Sequence, residues 1–295
     1  MNTEFDIKVG EVGLVARDAL EELYRRRLNG KPIATYAYDE PGGWSDIAEG
    51  GWDLIGASEE AGGADASLRD LIDVARVHGR WLPPLPVIES ILAKRWSPAA
   101  REHDAPATIA VTTESGRVVV PFGAYPGVRI LTGIDGVEQN ASLEQDDYAP
   151  SLRMAVSEAP TSLPAGAARE FAILWASEAV GCAERVLDEA VKYAKERTQF
   201  GQPIGRFQAV KHHLANALIA VQEAESAVLW AAADAPRLEP ALELAFDSAT
   251  RAIEIGIQVH GGMGFTWELG LHVYLRQVVS LRLLALALAR TVDGS

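Results

Sequence analysis

The sequence predicts a mainly α-helical protein with a small β segment in its middle. Residues 8–105 carry apolar side chains at helical spacing, interrupted by turn clusters. Residues 106–164 contain short runs of β-branched residues between glycine, proline and aspartate turns. Residues 165–295 return to helical spacing in four long runs. We therefore expect an N-terminal helical domain over 1–105, a short β domain over 106–164 and a C-terminal four-helix bundle over 165–295.

The N-terminal domain is predicted to contain four helices of unequal length. Apolar residues recur at helical spacing from Val9 to Leu23, and Asn29–Pro32 ends that run. A short helix is predicted from Ala48 to Ile55. An amphipathic helix from Leu68 to Leu82 and an apolar helix from Val87 to Trp96 follow, with breaking prolines between them.

The middle segment is predicted to form one small sheet of four short strands. These strands are expected at 108–113, 117–120, 128–131 and 151–156. Thr113-Glu-Ser-Gly116 is interpreted as a hairpin turn.

The last segment is predicted to form an antiparallel bundle, since long helices with short connections pack in this way. Its helices are expected at Ala167–Arg197, Phe207–Ala233, Pro240–His260 and Leu271–Ala289.

The overall charge limits the classes of partner. A net charge of −14 argues against nucleic acid or an anionic membrane as the main partner, although local arginines can still hold an anionic ligand. The single cysteine, Cys182, excludes an intrachain disulfide, and the six histidines lack ligand spacing, so no metal site is expected. No secretory signal is visible, and the apolar window Val278–Ala289 is shorter than the ~20 residues that span a bilayer, so a cytoplasmic protein is expected.

Two short motifs carry the functional information. Glu196-Arg-Thr-Gln-Phe-Gly201 closes the first bundle helix, where a cation such as Arg197 is favoured as a helix cap. Alternatively, the Arg197 guanidinium grips a pyrophosphate with paired N–H donors, beside the flat ring of Phe200 and the amide of Gln199. The residues alone leave both interpretations open.

The second motif, Gln258-Val-His-Gly-Gly-Met-Gly-Phe265, precedes the last helix. Its glycines suit either a tight turn or the close approach of a ligand to the backbone. No strand precedes them, so the motif is not the glycine fingerprint of a doubly wound dinucleotide fold.

In this order and at this separation, the two motifs resemble the C-terminal domain of the acyl-CoA dehydrogenase family of flavoproteins. The first motif and the residues that follow it, 196–208, match the family pattern Glu-Arg-x-x-Phe-Gly-x-Pro-Ile-x-x-Phe-Gln. The second motif matches Gln-x-x-Gly-Gly-x-Gly-Phe/Tyr. The resemblance implies contacts with FAD, the first motif binding its ADP half across a subunit interface. The implied contact residues are Arg197, Gln199, Phe200, Gln258, Gly261 and Gly262.

The turn at Gly51–Gly63 also resembles a family element, so the likeness covers the whole chain at domain level. It implies an acyl-CoA dehydrogenase-like fold with a shortened sheet. It further implies FAD-dependent α,β-dehydrogenation of an acyl-CoA thioester, with an electron-transfer flavoprotein as partner.

The sequence departs from the family in two places. The middle segment is about half as long as the family's and lacks its Thr-Glu-Pro-x-x-Gly-Ser-Asp motif beside the flavin. The two positions at which family members carry the catalytic glutamate are occupied by Ala285 and Phe171. Glu170, the neighbour of Phe171, is a candidate base, whereas Glu178 is expected on a solvated or interfacial face.

These departures favour the subunit without the catalytic glutamate in a heteromeric enzyme, with FAD bound in complex with a homologous partner. The last helix resembles a divergent subgroup, several of whose members act on steroid side-chain or other bulky acyl-CoA substrates. Two alternatives stay open: an autonomous homo-oligomeric dehydrogenase whose base is Glu170 or an unplaced residue, and a flavin-free scaffold or regulator.

Overall fold

The computed structural model describes residues 6–28, 30–37, 43–139, 144–146, 148–233 and 237–294. Its N-terminal part is helical, as predicted. The helices are α1 (Glu11–Leu28), α2 (Ile33–Tyr36), α3 (Trp44–Glu49), α4 (Leu68–Trp81), α5 (Val87–Trp96) and α6 (Pro98–Arg101). The prediction of a helix over Ala48–Ile55 was wrong. Gly51, with a φ of 68°, separates α3 from the short 3₁₀ turn Trp52–Leu54.

Asp70 fixes the start of α4 and ties it to α1. Its carboxylate accepts hydrogen bonds from the backbone N–H of Ser67, and the Ser67 hydroxyl accepts one from the backbone N–H of Asp70, which completes a capping box. The same carboxylate accepts a bond of 2.6 Å from the backbone N–H of Gly10, next to the first residue of α1. The two helices are thereby fixed against each other.

Among the described residues of the middle part there are seven short strands in two sheets, so the prediction of a single four-stranded sheet was wrong. The strands are β1 (Ala107–Thr108), β2 (Val111–Thr112), β3 (Val118–Val120), β4 (Arg129–Gly133), β5 (Gly136–Gln139), β6 (Glu144–Asp146) and β7 (Met154–Ser157). One sheet has the order β1-β4-β5 and the other β2-β3-β7-β6. The chain crosses from one sheet to the other at Ile109-Ala110, which divides the run predicted as one strand. The hairpin turn at Thr113–Gly116 is confirmed by the bond from Gly116 N–H to the Thr113 carbonyl.

The C-terminal part is the predicted antiparallel bundle. Its helices are α7 (Ala165–Glu196), α8 (Gln208–Ala232), α9 (Leu238–His260) and α10 (Leu271–Asp293). The two-residue strands β8 (Thr198–Gln199) and β9 (Gln202–Pro203) lie between α7 and α8. Because neighbouring helices run in opposite directions, the α7–α8 and α9–α10 connections lie at the same end of the bundle.

One helix among those described, α10, is long and apolar enough to cross a membrane by length and composition. However, 61% of its most apolar window is buried inside the fold. Burial of this kind is ordinary for the core helix of a bundle.

Candidate functional site

The structure brings the two sequence motifs together at one end of the bundle. The hydroxyl of Tyr193, on the last turn of α7, lies 3.8 Å from the sulfur of Met263 in the glycine turn. The exposed face formed there by Arg197, Gln199, Phe200, Gln258, Gly261 and Gly262 is called the cofactor surface below.

Phe200 occupies a backbone conformation that does not suit it. It forms a two-residue turn with Gly201 between β8 and β9, and both residues have positive φ, 53° and 79°. Such turns favour asparagine followed by glycine, and a phenylalanine in the left-handed region is strained. Its side chain is nevertheless 92% exposed, with only an edge contact to Phe207 at 6.1 Å between ring centroids. The chain itself gives this ring little burial in return for the strain, and strained residues of this kind cluster at ligand sites.

Arg197 is an exposed cation in a locally basic segment. It forms the C-cap of α7, as predicted, by donating its N–H to the Tyr193 carbonyl, and its own carbonyl accepts from Ile204 N–H. Within the described residues its guanidinium has no ion-pair partner. Residues 192–213 contain five basic residues and one acidic residue, in a chain of net charge −14. The local charge therefore favours an anion here.

The glycines of the second motif have different roles. A Cβ on Gly264 would lie 2.3 Å from the Ile257 carbonyl oxygen, so this glycine is required by packing. Gly261 has a φ of 60°, which favours glycine. A Cβ on Gly262 would meet no atom within 4 Å, and its φ is not positive. The fold therefore gives no reason for a glycine at 262, whereas a ligand lying on the backbone would.

These features fit the ADP half of FAD. A guanidinium suits a pyrophosphate, an exposed aromatic ring offers a stacking surface for adenine, and bare glycine backbone permits close approach. Within the described ranges, no group of three or more His, Cys, Asp or Glu side chains is placed to hold a metal ion.

The two positions at which family members carry the catalytic glutamate are buried and hold no carboxylate in this chain. Phe171 on α7 and Ala285 on α10 are both completely buried. The Glu170 carboxylate accepts a hydrogen bond of 2.7 Å from the Trp96 indole N–H and pairs with the Arg95 guanidinium at 3.0 Å. This carboxylate is thus held at the junction of α5 and α7.

Glu178 corrects a prediction. It was expected on a solvated or interfacial face, but it is 1% exposed and accepts a hydrogen bond of 2.6 Å from the Gln277 amide. Burial, and then the charge of Glu89, raise its pKa well above the ordinary value. One signal of this burial was present in the sequence: Glu178 is the only charged residue from Phe171 to Ala183.

A cavity of about 550 Å³, which was not predicted from the sequence, lies between the β2–β3 hairpin and α10. Its apolar wall includes Val119, Met154, Val279, Leu283, Leu286 and Ala287. Two arginines at its rim are paired, Arg282 with Asp247 and Arg290 with Glu239, so the rim carries little free positive charge from them. Its volume lies in the usual range for a small-molecule site. Three residues of the Thr113–Gly116 turn line the cavity, but a hairpin turn in the sequence gives no indication of one.

Comparison with known proteins identifies the family. Residues 167–285 match the model of the acyl-CoA dehydrogenase C-terminal domain. The acyl-CoA dehydrogenase IpdE2 of Mycobacterium tuberculosis is 34% identical over 236 residues, which cover 74% of each protein. The acyl-CoA dehydrogenase FadE34 of the same organism is 32% identical over 278 residues, covering 79% of this chain and 39% of FadE34.

Solved structures share the fold. A variant of the Tcur3481-Tcur3483 steroid ACAD matches with a TM-score of 0.68 at 22% identity, over 92% of this chain and 91% of that one. The ChsE4-ChsE5 complex from Mycobacterium tuberculosis matches with a TM-score of 0.65 at 18% identity, over 98% and 95%. The sequence match to IpdE2, together with this fold, shows that the chain belongs to the acyl-CoA dehydrogenase family.

Proposed function

We propose that this chain is the subunit without the catalytic glutamate in a heteromeric acyl-CoA dehydrogenase. Its cofactor surface, from Arg197 to Gly262, would hold the ADP end of an FAD shared with a homologous partner. When bound, FAD supplies the hydride acceptor for α,β-dehydrogenation of an acyl-CoA thioester.

The observation that carries this proposal is the state of the cofactor surface. Arg197 is exposed without an ion-pair partner in the described chain, and Phe200 is strained and 92% exposed. Gly262 has open space where a side chain would lie. The strain at Phe200 and the glycine at 262 have no explanation within the fold, and all three residues would contribute to binding a nucleotide.

The state of the candidate base positions supports a heteromeric enzyme in which the partner subunit supplies the catalytic base. A general base must come within hydrogen-bond reach of the proton that it removes. Phe171 and Ala285 have no basic group, and Glu170 is engaged by Arg95 and Trp96. We therefore assign proton removal from the substrate to the partner.

Distance along the helices also supports a shared site. The cavity is lined by α10 residues from Val279 to Arg290. At 1.5 Å per residue, these lie about 12 to 29 Å along the helix from Leu271, which begins α10 beside the glycine turn. In a complex, the cofactor surface of one chain would meet a reaction centre on the other.

The names of relatives suggest the substrate class. A steroid ACAD shares the fold, and ChsE4-ChsE5 is a complex of two differently named chains. We propose a bulky, steroid-derived or fatty acyl-CoA as substrate and an electron-transfer flavoprotein as electron acceptor.

Turnover of the isolated chain and of its complex with a homologous partner tests the assignment of the base. We expect turnover only in the complex, and its loss when the partner's glutamate becomes glutamine. Turnover by the isolated chain that disappears in Glu170→Gln, with the fold retained, would instead identify an autonomous dehydrogenase. A complex that forms without flavin or turnover would favour the scaffold.

A further inference from the structure

Two carboxyl groups outside the cofactor surface are buried in the interior without a basic partner. Glu89 on α5 is 0% exposed and Glu178 on α7 is 1% exposed. One Glu89 oxygen accepts a bond of 2.8 Å from the Trp175 indole N–H, while its other oxygen has no hydrogen-bond partner. Within the described residues, no lysine or arginine forms an ion pair with either carboxyl. Two such groups in their ionised forms would be very costly to bury.

The titratable groups around the pair do not supply a compensating charge. The Tyr24 hydroxyl of α1 lies 3.1 Å from His78 Nδ1 of α4, and both side chains are buried. Burial lowers the pKa of His78 to about 3, so its imidazole is neutral at pH 7. Burial and the charges of Glu178 and Glu89 raise the pKa of Tyr24. Cys182 on α7 is likewise neutral, since burial and then Glu178 raise its pKa well above the ordinary value.

The carboxyl pair lies where three parts of the molecule meet. The side-chain amide of Gln277, on α10, makes two contacts. Its Nε2 donates to Glu178, and its Oε1 accepts a bond of 2.5 Å from the hydroxyl of Ser151. Ser151 belongs to the turn that precedes β7. Glu89 reaches α7 through Trp175. These bonds connect the N-terminal helices, the β segment and the bundle through buried polar groups.

We propose that Glu89 and Glu178 together retain at least one proton at neutral pH, and that this protonated pair stabilises the junction of the N-terminal helices, the β segment and the bundle. The stability of this junction then depends on pH. A proton on one carboxyl removes one of two buried charges for which the described residues supply no cation, and with it the like-charge repulsion. Loss of the proton would leave buried, mutually repelling carboxylates and would loosen the junction.

The sign of the pH dependence follows from linkage. Burial raises the pKa of Glu89 from its ordinary value of 4.5 to about 7, with the Trp175 bond acting in the opposite direction. Between these values the unfolded chain binds fewer protons than the folded chain, so stability must fall as pH rises. The contribution is fully favourable below about 4.5 and is lost through about 7.

The test compares the wild-type chain, Glu89→Gln, Glu178→Gln and the control Glu254→Gln, which changes an exposed residue of α9. Infrared spectra should show a protonated carboxyl band near neutral pH in the wild type and control, and this band should be lost or reduced in Glu89→Gln. Melting temperature should fall from about pH 5 to about pH 8 in the wild type and control, and fall less in Glu89→Gln.

Two results would contradict the proposal that the protonated carboxyl pair stabilises this junction. One is the absence of a protonated carboxyl band at neutral pH in the wild type. The other is an equal pH dependence of melting in Glu89→Gln and the wild type. Should Glu178→Gln fail to fold, Glu89→Gln decides the question alone, because glutamine keeps an acceptor for Trp175 and gains a donor.

Discussion

The ring of Tyr193 stacks on the ring of His260, with centroids 4.6 Å apart and planes inclined by 29°. Tyr193 lies one turn before the end of α7, and His260 is the last residue of α9. The His260 ring nitrogen Nδ1 also lies 2.7 Å from the Gly256 carbonyl oxygen, which orients the imidazole. This contact fixes the two helix ends from which the halves of the cofactor surface extend.

Arg197→Ala should weaken flavin binding without unfolding the bundle. Hydrogen bonds to a charged group contribute about 1.5–3 kcal/mol, so we expect affinity for FAD to fall roughly 10- to 100-fold. Flavin content and melting temperature of the complex measure the two effects. Arg251→Ala, which changes an exposed arginine of α9 paired with Glu223, is the control and should retain flavin. Unchanged flavin in Arg197→Ala would contradict its assignment.

Phe200→Asn should lower the affinity for FAD without lowering the stability of the fold. Asparagine suits the positive φ of this position, so stability should rise by about 1 kcal/mol or stay the same. Loss of the ring should cost FAD binding about 1–3 kcal/mol, the usual contribution of an aromatic stacked on a base. Urea unfolding and flavin titration measure these quantities. A variant that is stabilised and still binds flavin normally would show that the ring has another purpose.

Gly262→Ala and Gly264→Ala form a matched pair. At Gly262 the new methyl group meets open space, so stability should change by less than about 0.5 kcal/mol while flavin binding falls. At Gly264 it would collide with the Ile257 carbonyl, and we expect a loss of about 1–3 kcal/mol in stability. Thermal melting and flavin content distinguish the two. Full flavin occupancy in a well-folded Gly262→Ala complex would argue against close approach of the cofactor.

The buried ion pair of Lys94 and Asp53 should be sensitive to loss of one partner. The two side chains are each 2% exposed, with 2.5 Å between Nζ and Oδ2. Asp53→Asn would leave the ammonium unpaired, which typically costs about 3–5 kcal/mol. Glu21→Gln, which breaks an exposed pair with Arg25, should cost under about 1 kcal/mol. Equal losses in chemical denaturation would refute this ranking.

The sequence predicted the long helices and the two motifs because periodicity and glycine turns are local signals. It did not separate β1 from β2, since the break at Ile109-Ala110 consists of apolar residues that also suit a strand. Nor did it predict that Glu178 is buried. That residue lies on α7, which packs against α4, α8, α9 and α10, so no face of its central turns is left to solvent.

The residues of the candidate site were named from the two motifs, but the local geometry of those residues could not be predicted. The strained φ of Phe200 and the open space above Gly262 depend on backbone geometry and on distant neighbours. The same is true of Arg197, which has no ion-pair partner in the part of the chain that the structure describes. The cavity beside α10 depends on how the β segment docks, which the sequence pattern does not specify.

In the proposed complex, this chain contributes one end of a flavin site that a partner completes. The visible absorbance spectrum of the chain purified alone, and of the chain co-expressed with a homologous partner subunit, tests this directly. We expect flavin bands in the co-purified complex and none in the isolated chain. Flavin bound stoichiometrically to the isolated chain, or absent from a stable complex, would contradict it.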